Sequence, residues 1–121
     1  MESDLVRIKR YAWVEEFPGA ITVCDSAGTI LELNRSAVEN LRTEGGKKLI
    51  GSNLIDCHPE PARSKLKRLM KNRQTNVYTV TKGSTRKIVL QVPWYRRKKY
   101  RGFVEVSLKI SGKIPNVIRK P

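Results

Sequence analysis

A chain of 121 residues with 39% hydrophobic side chains supports one domain with one modest core and excludes a disordered tail. It holds no run of eighteen or more apolar residues, and Arg7, Lys9 and Arg10 interrupt Leu5, Val6 and Ile8. The expectation is therefore a soluble, non-exported, cytoplasmic protein that does not enter a membrane. Two cysteines and one histidine are too few for a disulfide scaffold or a zinc site, so no metal is expected. Charge is distributed unevenly: residues 1–62 carry 7 basic against 10 acidic side chains, net −3, whereas residues 63–121 carry 18 basic side chains against Glu105 alone, net +17. Such asymmetry speaks to partners, a polyanion or an acidic protein, rather than to fold.

Along residues 4–16, Leu5, Ile8 and Ala12 share one helical side and Val6, Trp13 and Phe17 an adjacent one, which predicts a helix with a broad apolar surface. Ser3 or Asp4 suits its N-cap, and Pro18-Gly19 ends it. A helix this apolar must dock, on its own domain or on a second copy. Residues 21–24 and 29–33 read as two strands joined by the turn Asp25-Ser26-Ala27-Gly28. Asn34 then suits the N-cap of a short helix through Ala37, Val38 and Leu41, which Gly45-Gly46 breaks.

Residues 51–70 begin as an irregular connector and become an amphipathic helix. X-Pro steps at His58-Pro59 and Glu60-Pro61 mark the boundary. Ala62, Leu66, Leu69 and Met70 recur on one helix face, and nearly all the remaining surface is Lys and Arg. Glu60 near the helix start and Arg68, Lys71 and Arg73 near its end suit the helix dipole. Residues 76–82, 86–93 and 101–110 alternate as strands, with Ile88, Leu90 and Val92 in phase and Val104, Val106, Leu108 and Ile110 on one face. This is an antiparallel meander with one buried face. Tyr95 to Lys99, with no Gly or Asn, reads as a longer, protruding, exposed loop, and residues 111–121 as a short extension.

The order of elements predicts an α+β domain whose helices cover one sheet face. At this point residues 21–30, Asn34, Leu49-Ile50-Gly51, the Asp56-Cys57-His58-Pro59 step and the Tyr100-x-Gly102-x-x-Glu105-Val106 strand together resemble the PAS domains, small sensory and signalling modules. The Cys-His-Pro step resembles one PAS subgroup in particular. The resemblance covers roughly residues 17–111 and implies a five-stranded antiparallel sheet with an N-terminal helix over residues 1–17, a PAS-like domain over 18–111 and an extension over 112–121. Two departures stand out: Lys109-Ile110 replaces the Asp-Ile with which PAS domains commonly close, and Arg96-Arg97-Lys98-Lys99 replaces an acidic turn of the subgroup.

The resemblance also frames the candidate sites. A PAS-like cavity between the central helix, the short helix and the inner sheet face would be lined by Val23, Val38, Leu41, Leu54, Leu66, Met70, Leu90 and Val106, as a ligand pocket or, the favoured reading, as a filled core. His58 is a candidate haem ligand, because some PAS sensors hold haem through a histidine near this helix. The favoured alternative is a helix-start residue bonding a nearby backbone group, with no cofactor. Cys57 lacks the Asn-Cys-Arg context of flavin photosensors, and a buried or half-buried structural thiol is the expectation. Arg63, Lys67 and Lys71 on the helix, with Arg96, Arg97, Lys98, Lys99 and Arg101 on the loop, form a candidate basic surface for nucleic acid or another polyanion. No catalytic constellation is present, so the expectation is a non-enzymatic module that forms a homodimer through the N-terminal helix and signals to a partner protein.

Overall fold

The computed structural model describes residues 12–121. Leu5, Val6 and Ile8 of the expected N-terminal helix, its candidate caps, and the self-association assigned to it lie wholly or partly outside the described residues. The first described element is α1 (Ala12–Glu15), followed by β1 (Ala20–Asp25), β2 (Ile30–Leu33), α2 (Arg35–Asn40), two 3-10 turns (Arg42–Glu44 and Gly46–Leu49), α3 (Ala62–Asn72), β3 (Asn76–Lys82), β4 (Thr85–Arg96) and β5 (Lys99–Ile110). The five strands form one sheet in the order β2-β1-β5-β4-β3, antiparallel throughout. Strands from both ends of the chain thus meet at the central β1–β5 pair, as the order of elements predicts.

Local chemistry explains the elements. Asp25 Oδ1 accepts the N–H groups of Ala27 and Thr29, an Asx turn that closes the β1–β2 hairpin. Asn34 caps α2 by accepting from Ala37 N. The Leu49-Ile50-Gly51 segment turns the chain at Gly51 and lays residues 51–54 beside β2. Gly51 N donates to Ile30 O, Ile30 N to Ser52 O, and Leu54 N to Gly28 O, which pairs the free edge of β2. At α3, Glu60 takes the Ser64 N–H and hydroxyl, and the helix ends at Arg73 in the left-handed conformation.

Two apolar clusters lie between helices and sheet. Leu66 and Met70 of α3 pack on Cys24 and Phe103, which oppose each other across β1 and β5. Ile30, Leu33 and Ala37 form the second cluster, with Val38, Leu41 and Leu49 against it, and Leu54 touches both. Residues 111–121 carry no helix or strand and are largely exposed.

The hairpin joining β4 to β5 differs from the expected long loop. Arg96 pairs with Lys99, so the connection is a two-residue turn with Arg97 and Lys98 both at positive φ, 52° and 67°. Two-residue hairpins favour that twist because it matches the twist of the strands, and they usually recruit Asn-Gly to achieve it. Here two cations adopt it, which a search for turn residues overlooks.

Candidate functional site

Strand alternation and register divide the sheet into two chemically opposed faces. Cys24 and Phe103 face α3, so the residues two apart from them do as well: Thr22, Glu105 and Ser107, with their cross-strand partners Gln91, Val89 and Asn76. This inner face is polar over much of its area. Asn76 Nδ2 donates to Gln91 Oε1 at 3.0 Å, and Gln91 Nε2 donates to Glu105 Oε2 at 3.4 Å, a ladder across three strands. Thr22 and Gln91 are buried, and partial burial pushes the Tyr78 phenol above its ordinary value, with the Glu105 charge adding to the effect.

The opposite face carries the apolar set: Ile21, Val23, Ile88, Leu90, Val92, Val104, Val106 and Leu108 share it by register. The expectation placed Val23, Leu90 and Val106 in a cavity beside the helices, and the structure overturns that placement. Period-2 alternation identifies residues that share a face; it does not identify the face on which a helix packs. Of the other pocket candidates, Leu54, Leu66 and Met70 come together around Cys24 and Phe103, whereas Val38 and Leu41 belong to the second cluster. The eight residues therefore do not line one cavity. On the outer face, Trp13 and Val14 of α1 line a groove of about 700 Å³ together with Ile21, Val23, Leu31, Trp94, Tyr95 and Val104, and with the charged Glu32 and Arg96.

Asn34, expected as a helix cap, and Gly102, a motif position in the sequence, hold this arrangement together. Asn34 is 2% exposed and fully bonded: Oδ1 accepts from Ile21 N and Ala37 N, while Nδ2 donates to Val14 O and Gly19 O. It ties α1, β1 and α2 to one amide. Gly102 lies where a Cβ would overlap the Cys24 carbonyl oxygen and the Asp25 backbone. Its motif position therefore reflects a close strand approach.

His58 Nδ1 lies 2.7 Å from Leu54 O, and the His58 carbonyl accepts from Arg63 Nε at 3.0 Å. The Leu54 carbonyl can only accept, so Nδ1 is the donor in this contact. Cys57 is exposed, against the expectation of a buried thiol, because it lies on the turns before α3; the buried thiol is Cys24. Burial pushes the Cys24 pKa up, against a lowering bond from the Phe103 backbone. Among the described residues no group of three or more His, Cys, Asp or Glu side chains is arranged to hold a metal ion. No helix among them is long and apolar enough to cross a membrane.

The basic residues divide between places the sequence keeps apart. Arg73, at the end of α3, lays its guanidinium over the Tyr100 ring, 4.9 Å from the centroid. Tyr100 in turn meets Tyr95 and Phe103 edge to face. The end of α3 carrying Lys71 and Arg73 thus reaches the β4–β5 turn carrying Arg96, Arg97, Lys98 and Lys99. The Tyr100 hydroxyl is buried with no hydrogen-bond partner among the described residues, and burial pushes its pKa up.

A family model described as the PAS fold matches residues 9–106, most of the chain. The chain belongs to the PAS family. Solved structures agree on the fold of this PAS domain. It is similar to the PAS domain of the histidine kinase ThkA, with a TM-score of 0.58, 19% identity and coverage of 74% of this chain and 96% of that one. It is similar also to a sensory box sensor histidine kinase from Vibrio cholerae, with a TM-score of 0.61, 10% identity and coverage of 89% and 94%. A third is the Aer2 receptor from Vibrio cholerae, described as a dual PAS-haem oxygen sensor, with a TM-score of 0.56, 19% identity and coverage of 77% and 95%. No curated protein matches the sequence.

Proposed function

We propose that this PAS domain is a cytoplasmic sensory and protein-interaction module that associates with itself through its N-terminal helix and the outer sheet face. The observation that carries the reading is the apolar composition of that face. Ile21, Val23, Leu90, Val104 and Val106 are apolar on the side turned away from α3, while the helix-facing side holds the Asn76–Gln91–Glu105 ladder. A large apolar face is a docking surface for another element. Trp13, which is 61% exposed, stands at its rim, and the apolar residues Leu5, Val6 and Ile8 precede it in the chain. Signalling is a population shift, in which a partner or ligand changes how the N-terminal helix packs on this face and the change passes to a signalling partner chain. The interior around Cys24, Leu66, Met70 and Phe103 acts as a filled core, with His58 serving the connector before α3.

Sedimentation equilibrium of the full chain tests the reading. A dimer is expected, with truncation of residues 1–16 and Val106→Asp each shifting it to monomer while circular dichroism retains the fold. Unchanged association after truncation defeats the helix-mediated part. An absorbance spectrum limited to the aromatic bands is the expected result for the filled core, and a Soret band would reassign His58 to haem.

A further inference from the structure

We propose that the end of the molecule where α3 meets the β4–β5 turn binds the phosphate backbone of duplex DNA without reading its base sequence. The inference begins with backbone geometry. Among the described residues, the non-glycine positions with positive φ are Arg73 at 54°, Arg97 at 52° and Lys98 at 67°. Left-handed backbone is unfavourable for side chains bearing a Cβ and is taken readily by Gly or Asn. All three positions hold cations instead. Residues held in sparsely populated backbone conformations cluster at functional sites.

The three cations belong to one end of the molecule. Arg73 is stacked on Tyr100, and Tyr100 pairs with Tyr95 one rung from the Arg96–Lys99 pair that closes the turn. Beyond Gly102 the hairpin has no pairing to β1, and beyond Gln91 none to β3. The Tyr95–Tyr100 and Arg96–Lys99 rungs therefore pair only with each other, Tyr100 packing back on the core beneath Arg73 while the Arg96–Lys99 rung and its turn stand exposed. Arg96, Arg97, Lys98 and Lys99 are all exposed, and none forms an ion pair among the described residues.

A ribbon of two strands about 4.8 Å apart fits a duplex major groove of about 12 Å. The tip offers ammonium and guanidinium groups, which neutralise phosphates, and no Asn, Gln or carboxylate stands at the turn to read adenine or cytosine.

The test uses fluorescence anisotropy of the full chain with two short duplexes of unrelated sequence over a salt series. Equal affinity for both duplexes and a steep fall with salt are expected. Arg97→Asn combined with Lys98→Gly should raise the thermal midpoint, because it supplies the favoured turn residues, yet flatten the log–log salt slope by about 2. A merely structural turn would gain stability without losing binding, and that result overturns the proposal. Arg86→Gln with Lys87→Gln, at the far end of the hairpin, should leave the slope unchanged; an equal loss there shows diffuse attraction and also overturns it. Binding to phosphatidylserine vesicles or a poly-glutamate peptide with none to DNA reassigns the surface to another anion and overturns the DNA assignment.

Discussion

The Trp94 indole donates its N–H to the Cys24 carbonyl at 3.0 Å, across a sequence separation of 70 residues. Trp94 pairs with Gly102 on β5, and Gly102 pairs with Asp25 on β1, so the indole crosses a strand position that has no side chain. A Cβ at Gly102 would overlap the Cys24 carbonyl oxygen, the same oxygen that accepts from the indole, so the glycine keeps β1 close against β5 where Trp94 reaches across. Gly102→Ala is expected to cost about 3 kcal/mol, because backbone rather than a flexible side chain must move. Trp94→Phe is expected to cost about 1–2 kcal/mol through the lost hydrogen bond. Urea unfolding of both variants measures this; a neutral Gly102→Ala would contradict the close approach.

Asn34 offers a second test because its amide is used in both directions. Asn34→Asp replaces the donor of two bonds to Val14 O and Gly19 O with a buried carboxylate oxygen facing two carbonyls. A loss of about 3 kcal/mol or more at neutral pH is expected. Acidification should narrow the gap to wild type as the carboxyl takes a proton. A variant as stable as wild type at neutral pH would show that the clamp does not hold α1 to the sheet.

Thiol chemistry distinguishes the two cysteines. Cys57 is exposed and Cys24 is 1% exposed with its pKa raised by burial. Titration of the native protein with a disulfide reagent should give one fast equivalent, from Cys57, and a second only at the rate of unfolding. Cys57→Ser should abolish the fast phase. Two fast equivalents would place Cys24 at the surface.

Glu60 links the start of α3 to pH. Its pKa lies below the ordinary carboxylate value, chiefly through the Ser64 hydroxyl and then the Ser64 N–H, with Arg63 and Lys67 adding smaller effects. A folded-state pKa below the unfolded one means stability present above the unfolded value and lost as pH falls through the folded one. The melting temperature of Glu60→Ala should therefore lie below that of wild type at neutral pH and converge with it in acid. A gap that stays constant down to the acid limb would show that the Ser64 bonds do not depend on the ionised carboxylate.

Much of the architecture was legible from residue pattern because its signals are local. The Asp25–Gly28 turn, the Asn34 cap and the proline-marked start of α3 stand where composition and periodicity put them, as do the three late strands, of which β4 and β5 run further into their shared hairpin than the expected 86–93 and 101–110. The β4–β5 turn was misread because its residues contradict turn chemistry, and Cys57 because a short irregular connector has no periodic face from which to infer burial.

Local pattern by itself determined which segments are strands and helices, which side chains lie together on one side of a strand, and that the second half is a cation reservoir. Only the tertiary structure decided that the apolar side of the sheet faces away from α3, that Val23, Leu90 and Val106 stand apart from Leu66 and Met70, and that Arg73 joins the cations of the distant turn. Alternation along a strand is a property of one backbone. The side a helix covers is set by register between strands far apart in the chain, and at Cys24 and Phe103 that register places the helix on the more polar side.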